Sequence, residues 1–290
     1  MFQGSIVALI TPFRQGQLDE AALARLVEWH IEQGTHGIVP VGTTGESPTL
    51  THDEHCRVVE LVVKQVAGRI PVIAGAGSNN PVEAIEYTLH AERVGADATL
   101  HVAGYYNRPN QEGLFHHFKA VHDATTKPII VYNIPPRAIV DVQPATLARL
   151  AELPRIAGVK DATGDLARPW VERQLIKKPF AWLSGEDATA VAYNIGGGQG
   201  CISVTANVAP KLVAEVQNLT LAGEWQAARE LQDKLIPLHQ AMFAEPSPAG
   251  AKYAVSLLGL CSEECRLPVM PLSDATRERI RQAMQALNLL

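Results

Sequence analysis

Hydrophobic and polar positions alternate along the chain in a regular series. Short continuous apolar runs, typical of buried strands, occur eight times before residue 208. These runs span residues 4–11, 37–44, 71–77, 97–103, 128–134, 156–163, 180–186 and 200–207. Segments with apolar residues at helical spacing lie between them, for example residues 19–34, 51–68 and 80–95. We expect Asp19 and Thr51 to cap helix starts and Gly34, Gly68 and Gly95 to end helices.

The strand and helix patterns repeat every 25 to 30 residues or so, which indicates parallel strands covered by helices. Eight such units in about 210 residues favour a closed (β/α)8 TIM barrel over the alternative, an open doubly wound sheet. After residue 208 only helical patterns follow, at residues 209–243, 249–260 and 273–290. We therefore predict a catalytic barrel over residues 1–222 and a small C-terminal helical extension, residues 223–290, packed on it.

Composition narrows the class of protein. The 290 residues are 47% hydrophobic and 19% charged, with a net charge of −5, which is typical of a globular protein and argues against a nucleic-acid partner. No apolar run approaches the roughly 18 residues of a membrane helix. Residues 1–13 lack a basic leader and are interpreted as the first fold element, not an export signal. Four scattered cysteines indicate a reduced, cytoplasmic compartment.

Lys160 is the unusual residue, because it lies inside the apolar run at residues 156–164. An edge strand facing water, or a buried stem with an exposed amine, would explain it without chemistry. A third explanation is a nucleophile, because burial disfavours the ammonium form of an amine. In a barrel strand, Lys160 would point towards the barrel mouth, while Val159 and Asp161 would face the helices.

The carboxyl ends of barrel strands meet at one mouth, where catalytic residues of this fold lie. The residues expected there are Thr43, Thr44, Tyr105, Tyr106, Tyr132, Arg137, Lys160, Gly185 and Ile202. No cluster of carboxylates and histidines accompanies them, so we expect no metal and no metal-dependent hydrolase. The glycine-rich residues 74–80 and 196–200 lack the dinucleotide-binding spacing and are interpreted as turns.

These residue types suit a keto acid. The Lys160 amine would condense with a carbonyl to an iminium that becomes an enamine, and the Tyr132 hydroxyl would move the protons. The hydroxyls of Thr43 and Thr44 would cradle one carboxylate, and Arg137 would bind a second. Singly, each of these side chains also has a structural explanation in the core, in a turn or on the surface. Their convergence on one mouth favours Lys160 as the nucleophile.

The chain also resembles a known family, the pyruvate-dependent class I lyases that include dihydrodipicolinate synthase and N-acetylneuraminate lyase. The likeness runs nearly end to end, through "GSIVALITPF", "VGTTGES", "GYYNRPNQEGL", "VYNIPPR", "GVKDATGD" and "ISVTANVAP". The "GTTGES" motif and the arginine after "YNIP" are similar to the dihydrodipicolinate synthase branch. The sialic acid lyase branch favours Gly-Ser-Thr-Gly-Glu and lacks that arginine.

The resemblance implies condensation of pyruvate with L-aspartate 4-semialdehyde to 4-hydroxy-2,3,4,5-tetrahydrodipicolinate, the committed step towards diaminopimelate and L-lysine. Lys160 would form the Schiff base, so no separate cofactor is expected. Tyr132 would donate and accept protons, and Thr43 and Tyr106 would complete a relay, Tyr106 coming from a neighbouring subunit. Thr44 and the Ile202 backbone, with Gly185 nearby, would bind pyruvate. A homotetramer, built as a dimer of dimers, is the assembly that the family implies.

The family further implies a regulatory pocket for L-lysine at a dimer interface. The residues that match it are Ser47, His52, His55, Asn79, Glu83 and Tyr105. The alternative for residues 52–55 is a purely structural role, as a helix start with two exposed histidines. Three departures from the family pattern bear on affinity or regulation: Gly104 before the tyrosine pair, Pro48 after Ser47, and the segment at residues 245–252.

Two other functions stay open at this point. One is a pyruvate-dependent aldolase of the same family that acts on N-acetylneuraminate or another sugar-derived keto acid. The other is a non-catalytic barrel that binds pyruvate or an amino acid. Arg137 and the Thr43–Thr44 pair argue against the first, and the set of reactive groups around Lys160 argues against the second.

Overall fold

A computed structural model describes residues 2–290 of the chain. Eight short parallel strands form one sheet. They are β1 (Gly4–Ala8), β2 (Gly37–Val39), β3 (Ile73–Gly75), β4 (Ala98–Val102), β5 (Ile129–Asn133), β6 (Ile156–Asp161), β7 (Ala181–Ser184) and β8 (Gly200–Ser203). Each one lies inside a run that the apolar pattern predicted.

The sheet closes on itself. β1 pairs with both β2 and β8, and the remaining strands pair with their neighbours in chain order. A single parallel bridge between Ile38 and Val72 joins β2 to the residues just before β3. The predicted (β/α)8 barrel is therefore confirmed, and the open doubly wound alternative is wrong.

Helices follow the strands along the chain. They are α1 (Glu20–Glu32), α2 (His52–Val66), α3 (Pro81–Val94), α4 (Gln111–Ala124), α5 (Pro135–Ala138), α6 (Pro144–Ala151), α7 (Arg168–Leu175), α8 (Ala190–Ile195), α9 (Pro210–Leu221), α10 (Trp225–Met242), α11 (Ala249–Leu257) and α12 (Asp274–Ala286). The predicted caps are present: the Asp19 side chain accepts from the Ala22 N–H, and Thr51 forms a capping box with Glu54. Gly95 ends α3 with φ +95°, a conformation that glycine adopts without strain.

The strands end earlier than the apolar pattern predicted. The second run continues to residue 44, but β2 ends at Val39. Val41 is nevertheless buried, with φ +48°, so it leaves the ladder while staying out of water. The apolar residues after Val39 form a buried turn at the barrel mouth. Hydrophobic pattern alone does not distinguish such a turn from a strand.

Alternate residues of the strands pack on opposite sides of the sheet. Ile6, Ile73, Ile130, Leu183 and Ile202 belong to the cluster that fills the barrel interior. Their strand neighbours, among them Val131, Val159 and Trp182, pack with the helices in a separate cluster. This period-2 arrangement decides which strand side chains reach the mouth.

The last helices pack on the closed barrel. α10 lies against α9 and α12, and α11 contacts the short 3-10 helix Thr205–Asn207 that follows β8. The predicted division at residues 222 and 223 falls between α9 and α10, and it stays a prediction. Among residues 2–290, no helix combines the length and the apolar character needed to span a bilayer.

Candidate active site

Lys160 and Tyr132 lie side by side on adjacent strands. They are register partners in the parallel pairing of β5 with β6. Each side chain is buried, with 6% of its surface exposed, and the Lys160 Nζ is 4.1 Å from the centroid of the Tyr132 ring. The edge-strand explanation for Lys160 is excluded, because β6 has strand partners on both sides.

The neighbours of Lys160 on β6 point the other way, as expected. Val159 packs in the helix-side cluster. Asp161 is buried next to Arg168 and Glu172 of α7, and burial raises its pKa. Burial, reinforced by the nearby Asp161 charge, raises the pKa of Glu172 to about 8. Glu172 is thus a buried acidic group on the helix side of β6, and the Lys160 amine lies on the opposite face of the same strand.

Gly185, at the end of β7, makes room for Lys160. A Cβ atom at this position would lie 3.1 Å from the Lys160 Cε and 2.9 Å from the Ala162 Cβ, which are closer than ordinary contacts. The Gly185 N–H donates to the Asp161 carbonyl at 2.6 Å. Glycine therefore brings the backbone of β7 directly against the amine-bearing side chain.

The segment Gly42–Ser47 forms a tight turn after β2, here called the threonine turn. Thr44 is buried and Thr43 lines the cavity described below. Val41 before the turn and Glu46 within it have φ of +48° and +56°, a region that costs non-glycine residues about 1–3 kcal/mol each. The Thr11 hydroxyl donates to the Gly45 carbonyl at 2.6 Å, so the segment that follows β1 also holds the turn.

Arg137 lies on the short helix α5, which directly follows β5. Its loop is anchored at both ends by Asn133, whose side-chain amide donates to Asp141 Oδ1 at 2.8 Å and accepts from the Val142 N–H at 3.1 Å. The Arg137 side chain is exposed and contributes to the wall of the cavity. At this position the Arg137 guanidinium can bind an anion that enters the cavity.

A cavity of about 390 Å³ opens at this mouth. Its wall consists of Val41, Gly42, Thr43, Ser47, Pro48, Leu50, Gly75, Gly77, Glu83, Tyr87, Leu100, Val102, Tyr105, Tyr132, Ile134, Arg137 and Ala138. Lys160 is not on the wall itself and adjoins it through the Tyr132 ring. Ile202, buried on β8, lies in the interior cluster with Tyr132.

Tyr106 lies away from the cavity. Its side chain is 90% exposed, its φ is +61°, and it does not belong to the cavity wall. The structure therefore brings together Lys160, Tyr132, Thr43 and Arg137 within one chain, but not Tyr106.

The residues that match the regulatory pocket are partly gathered. Ser47, Glu83 and Tyr105 line the cavity, whereas His52, His55 and Asn79 do not. The Ser78 hydroxyl donates to Glu83 Oε2 at 2.5 Å, and the Asn79 amide lies 3.4 Å from Asn107 Oδ1. Three of the six matched residues therefore share the wall of the same cavity as Thr43, Tyr132 and Arg137.

His55 is buried, which contradicts the alternative of two exposed histidines at residues 52–55. Burial lowers the pKa of His55 to about 4, so the ring is neutral near pH 7. The Nε2 atom lies 2.9 Å from the Gly75 carbonyl and must carry the proton to donate to it. The Nδ1 atom then faces the Ser47 hydroxyl at 3.4 Å as an acceptor.

Tyr87 is a residue of this region that the sequence analysis missed. Its ring stacks on His55, with centroids 3.8 Å apart, and on His52 at 5.2 Å, and it lines the cavity. It lies four residues after Glu83 on α3, so both face the same side of the helix. That helical spacing was the available signal.

Glu186 and Cys201 are ionisable groups near the Lys160 amine. Burial, together with Asp187, raises the pKa of Glu186, while the nearby Lys160 opposes this rise. Burial also raises the pKa of the Cys201 thiol, which makes it a poor nucleophile. Within residues 2–290 no three His, Cys, Asp or Glu side chains are grouped as a metal site requires.

A buried strand lysine against a tyrosine, with hydroxyls and an arginine at the mouth of a (β/α)8 barrel, is an arrangement suited to forming a Schiff base with a carbonyl compound. Comparison with known proteins specifies the family. The chain matches the Dihydrodipicolinate synthetase family over residues 1–287. It belongs to that family, which confirms the resemblance found in the sequence.

The relatives match over their whole length. The 4-hydroxy-tetrahydrodipicolinate synthase of Parvibaculum lavamentivorans is 61% identical over 290 residues, covering all of both chains. The crystal structure of dihydrodipicolinate synthase from Acinetobacter baumannii complexed with pyruvate has a TM-score of 0.97 and 45% identity, again over all of both chains. The structure of the enzyme from Cyanidioschyzon merolae with lysine bound has a TM-score of 0.97 and 36% identity, covering 100% of this chain and 99% of that one.

Proposed function

We propose that this chain condenses pyruvate with L-aspartate 4-semialdehyde to 4-hydroxy-2,3,4,5-tetrahydrodipicolinate, the committed step of diaminopimelate and L-lysine biosynthesis. The observation that carries the proposal is the buried amine of Lys160, in register with Tyr132 and 4.1 Å from its ring centroid. Full-length similarity to proteins named for this reaction supports the same conclusion.

Catalysis begins with a carbon–nitrogen bond. The amine of Lys160 adds to the C2 carbonyl of pyruvate, and loss of water leaves an iminium. The iminium withdraws electrons from C3, which gives up a proton and becomes the nucleophilic carbon of an enamine. The Tyr132 hydroxyl, on the adjacent strand, is the proton donor and acceptor, and Thr43 and a partner-supplied Tyr106 relay protons to it.

The enamine carbon then adds to the aldehyde carbon of the semialdehyde, forming the new carbon–carbon bond. Attack by the amino group of that substrate on the iminium carbon closes the ring and releases Lys160. The pyruvate carboxylate lies against Thr44 and the backbone at Ile202, with Gly185 leaving room beside the amine. The Arg137 guanidinium binds the semialdehyde carboxylate in a two-pronged pairing.

Borohydride reduction in the presence of pyruvate tests the covalent step. We expect one stable adduct per chain, located on Lys160 by peptide mass spectrometry, and no adduct in Lys160→Ala. Lys178→Ala is the matched control, because Lys178 is another partly buried lysine, which donates to the Leu153 carbonyl at 3.1 Å. An adduct elsewhere, or none in the unaltered chain, contradicts the mechanism.

Substrate identity separates this function from its alternatives. A coupled assay should show turnover with pyruvate and the semialdehyde, and none with N-acetylneuraminate or other sugar-derived keto acids. Arg137 favours pyruvate and the semialdehyde as substrates, because the short helix α5 places its guanidinium cation at the mouth of the barrel. Pyruvate binding without turnover would instead support a non-catalytic binding barrel.

Feedback inhibition by L-lysine is a second proposal. Ser47, Glu83 and Tyr105 on the cavity wall offer acceptors and a carboxylate for an amino acid, next to the buried His55. The Tyr87 ring, stacked on His55, forms part of the cavity wall next to these residues. Calorimetry with L-lysine should give saturable heat that Glu83→Gln abolishes, and no heat at millimolar lysine contradicts the site.

The assembly we propose is a homotetramer, built as a dimer of dimers, in the cytoplasm. The exposed Tyr106 supports a shared active site. Trp170, Val171 and Leu175 of α7 and Ile195 of α8 are also exposed apolar side chains, which suits a second contact surface. All four cysteines are free thiols, which suits a reducing compartment. Sedimentation of the purified chain measures the assembly directly.

A further inference from the structure

A side chain of the threonine turn is paired with the C-terminal extension. Glu46 lies two residues after Thr44, and its side chain is 3% exposed. It forms a buried ion pair with Lys252 of α11, whose side chain is fully buried. The Lys252 Nζ also donates to the Glu264 carbonyl at 2.7 Å and lies 4.1 Å from the centroid of the Phe13 ring.

The other carboxylate oxygen of Glu46 is also held by the extension. It accepts the Arg266 N–H at 2.9 Å. The Arg266 guanidinium donates to both oxygens of Glu54 at 2.6 Å and lies 4.2 Å from the Phe13 ring centroid. Both oxygens of Glu46 therefore have partners from residues that lie after the barrel in the chain.

Attachment of the extension does not depend on this ion pair alone. The Gln232 amide of α10 donates to the Asp187 carbonyl at 2.7 Å, and His239 Nδ1 lies 2.8 Å from the Thr205 hydroxyl. A buried charge is costly unless it is paired, and removing one partner leaves the other uncompensated. The Lys252–Glu46 pair links the extension directly to the threonine turn, at a residue whose φ is +56°.

We propose that Lys252 is a positioning residue for Schiff-base formation, acting through Glu46 on the turn that carries Thr43 and Thr44. This inference rests on the proposed function, because it assigns pyruvate to that turn. It also assigns the C-terminal extension a role in the first half of the reaction.

Kinetics of the two half-reactions test the assignment. In a ping-pong sequence, kcat/KM for pyruvate reports iminium formation, and kcat/KM for the semialdehyde reports the second half. In Lys252→Met we expect kcat/KM for pyruvate to fall at least tenfold and that for the semialdehyde to fall less than threefold. The pyruvate concentration for half-maximal borohydride trapping should rise in parallel.

Controls separate positioning from a loss of folded protein. Arg277→Met removes an ion pair with Glu263 inside the extension, away from the turn, and should leave both constants within twofold. If Lys252→Met does not fold, the double variant Glu46→Gln with Lys252→Met, which buries no charge, is measured instead. It should fold and still show the selective loss for pyruvate.

The outcomes are distinct for the two proposals. Equal losses in both constants, or a pyruvate constant within threefold of the unaltered chain, would overturn the role of Lys252 while leaving the function intact. An unaltered chain that pyruvate and borohydride do not modify would overturn both.

Discussion

The two halves of the candidate site are built differently. Lys160 and Tyr132 lie on adjacent strands, are buried to the same extent and are aligned by the backbone pairing of β5 with β6. The threonine turn has left strand geometry, contains a residue with positive φ, and is held by Arg266, 220 positions further along the chain. The strand half depends on the register of two adjacent strands, and the turn half depends on contacts with residues remote in the chain.

The difference follows the chemistry of each half. Covalent catalysis requires one amine and one proton carrier within a few tenths of an ångström of their working positions, which closely packed strands provide. Binding of carboxylates requires backbone and hydroxyl groups that face an open mouth, which a turn after a strand provides. Variants in the strand half should therefore reduce kcat, and variants in the turn half or near Arg137 should change KM for one substrate.

The largest effect is expected for Tyr132→Phe in the strand half. Loss of the proton-carrying hydroxyl should lower kcat by roughly 10²- to 10⁴-fold with little change in thermal stability. Steady-state kinetics and thermal denaturation measure the two quantities. Tyr193→Phe is the control, because Tyr193 is buried on α8 and its hydroxyl has no hydrogen-bond partner among residues 2–290. Similar losses in both variants would contradict a specific role for Tyr132.

An intermediate effect is expected for Arg137→Lys, on the short helix α5 at the cavity wall. Lysine keeps the charge but loses the fork that binds a carboxylate at two points. We expect KM for the semialdehyde to rise about tenfold, as for loss of one charged hydrogen bond, with the KM for pyruvate almost unchanged. Arg149→Lys, at an exposed pair with Glu112, should behave like the unaltered chain. A change confined to the pyruvate KM would reverse the assignment.

The smallest effect concerns the acidic group behind β6 and is a change in stability. Because burial raises the pKa of Glu172 to about 8 from 4.5, the folded chain holds this proton more tightly than the unfolded chain. The free energy of unfolding should therefore fall as the pH rises from about 4.5 to about 8.

Glu172→Gln should weaken that decline, because the amide does not titrate. Urea denaturation at pH 6 and pH 9 measures the difference, with Glu278→Gln on the exposed face of α12 as the control. Equal declines in Glu172→Gln and the unaltered chain would show that Glu172 does not titrate in this range. Kinetic constants near pH 7 should change little, because Glu172 lies on the helix side of β6.

The repeated apolar runs were sufficient to predict eight strands, because parallel strands covered on both faces need continuous hydrophobic sequence. They were insufficient to end those strands, since Val41 is as apolar and as buried as a strand residue. Lys160 was recognisable because it is an amine in such a run. Tyr87 was missed because a tyrosine on an amphipathic helix is ordinary in sequence.

The sequence by itself determined the barrel, the direction of Lys160 within its strand and the family to which the chain belongs. These depend on local periodicity and on motifs that are contiguous in the chain. Only the tertiary structure decided how closely the Lys160 amine approaches the Tyr132 ring, that Gly185 lies beside the Lys160 Cε atom, and that Lys252 pairs with Glu46. Such contacts join residues far apart in the chain. Packing of the closed barrel selects them, because a buried charge must be paired and a closely packed backbone leaves space for only one side chain.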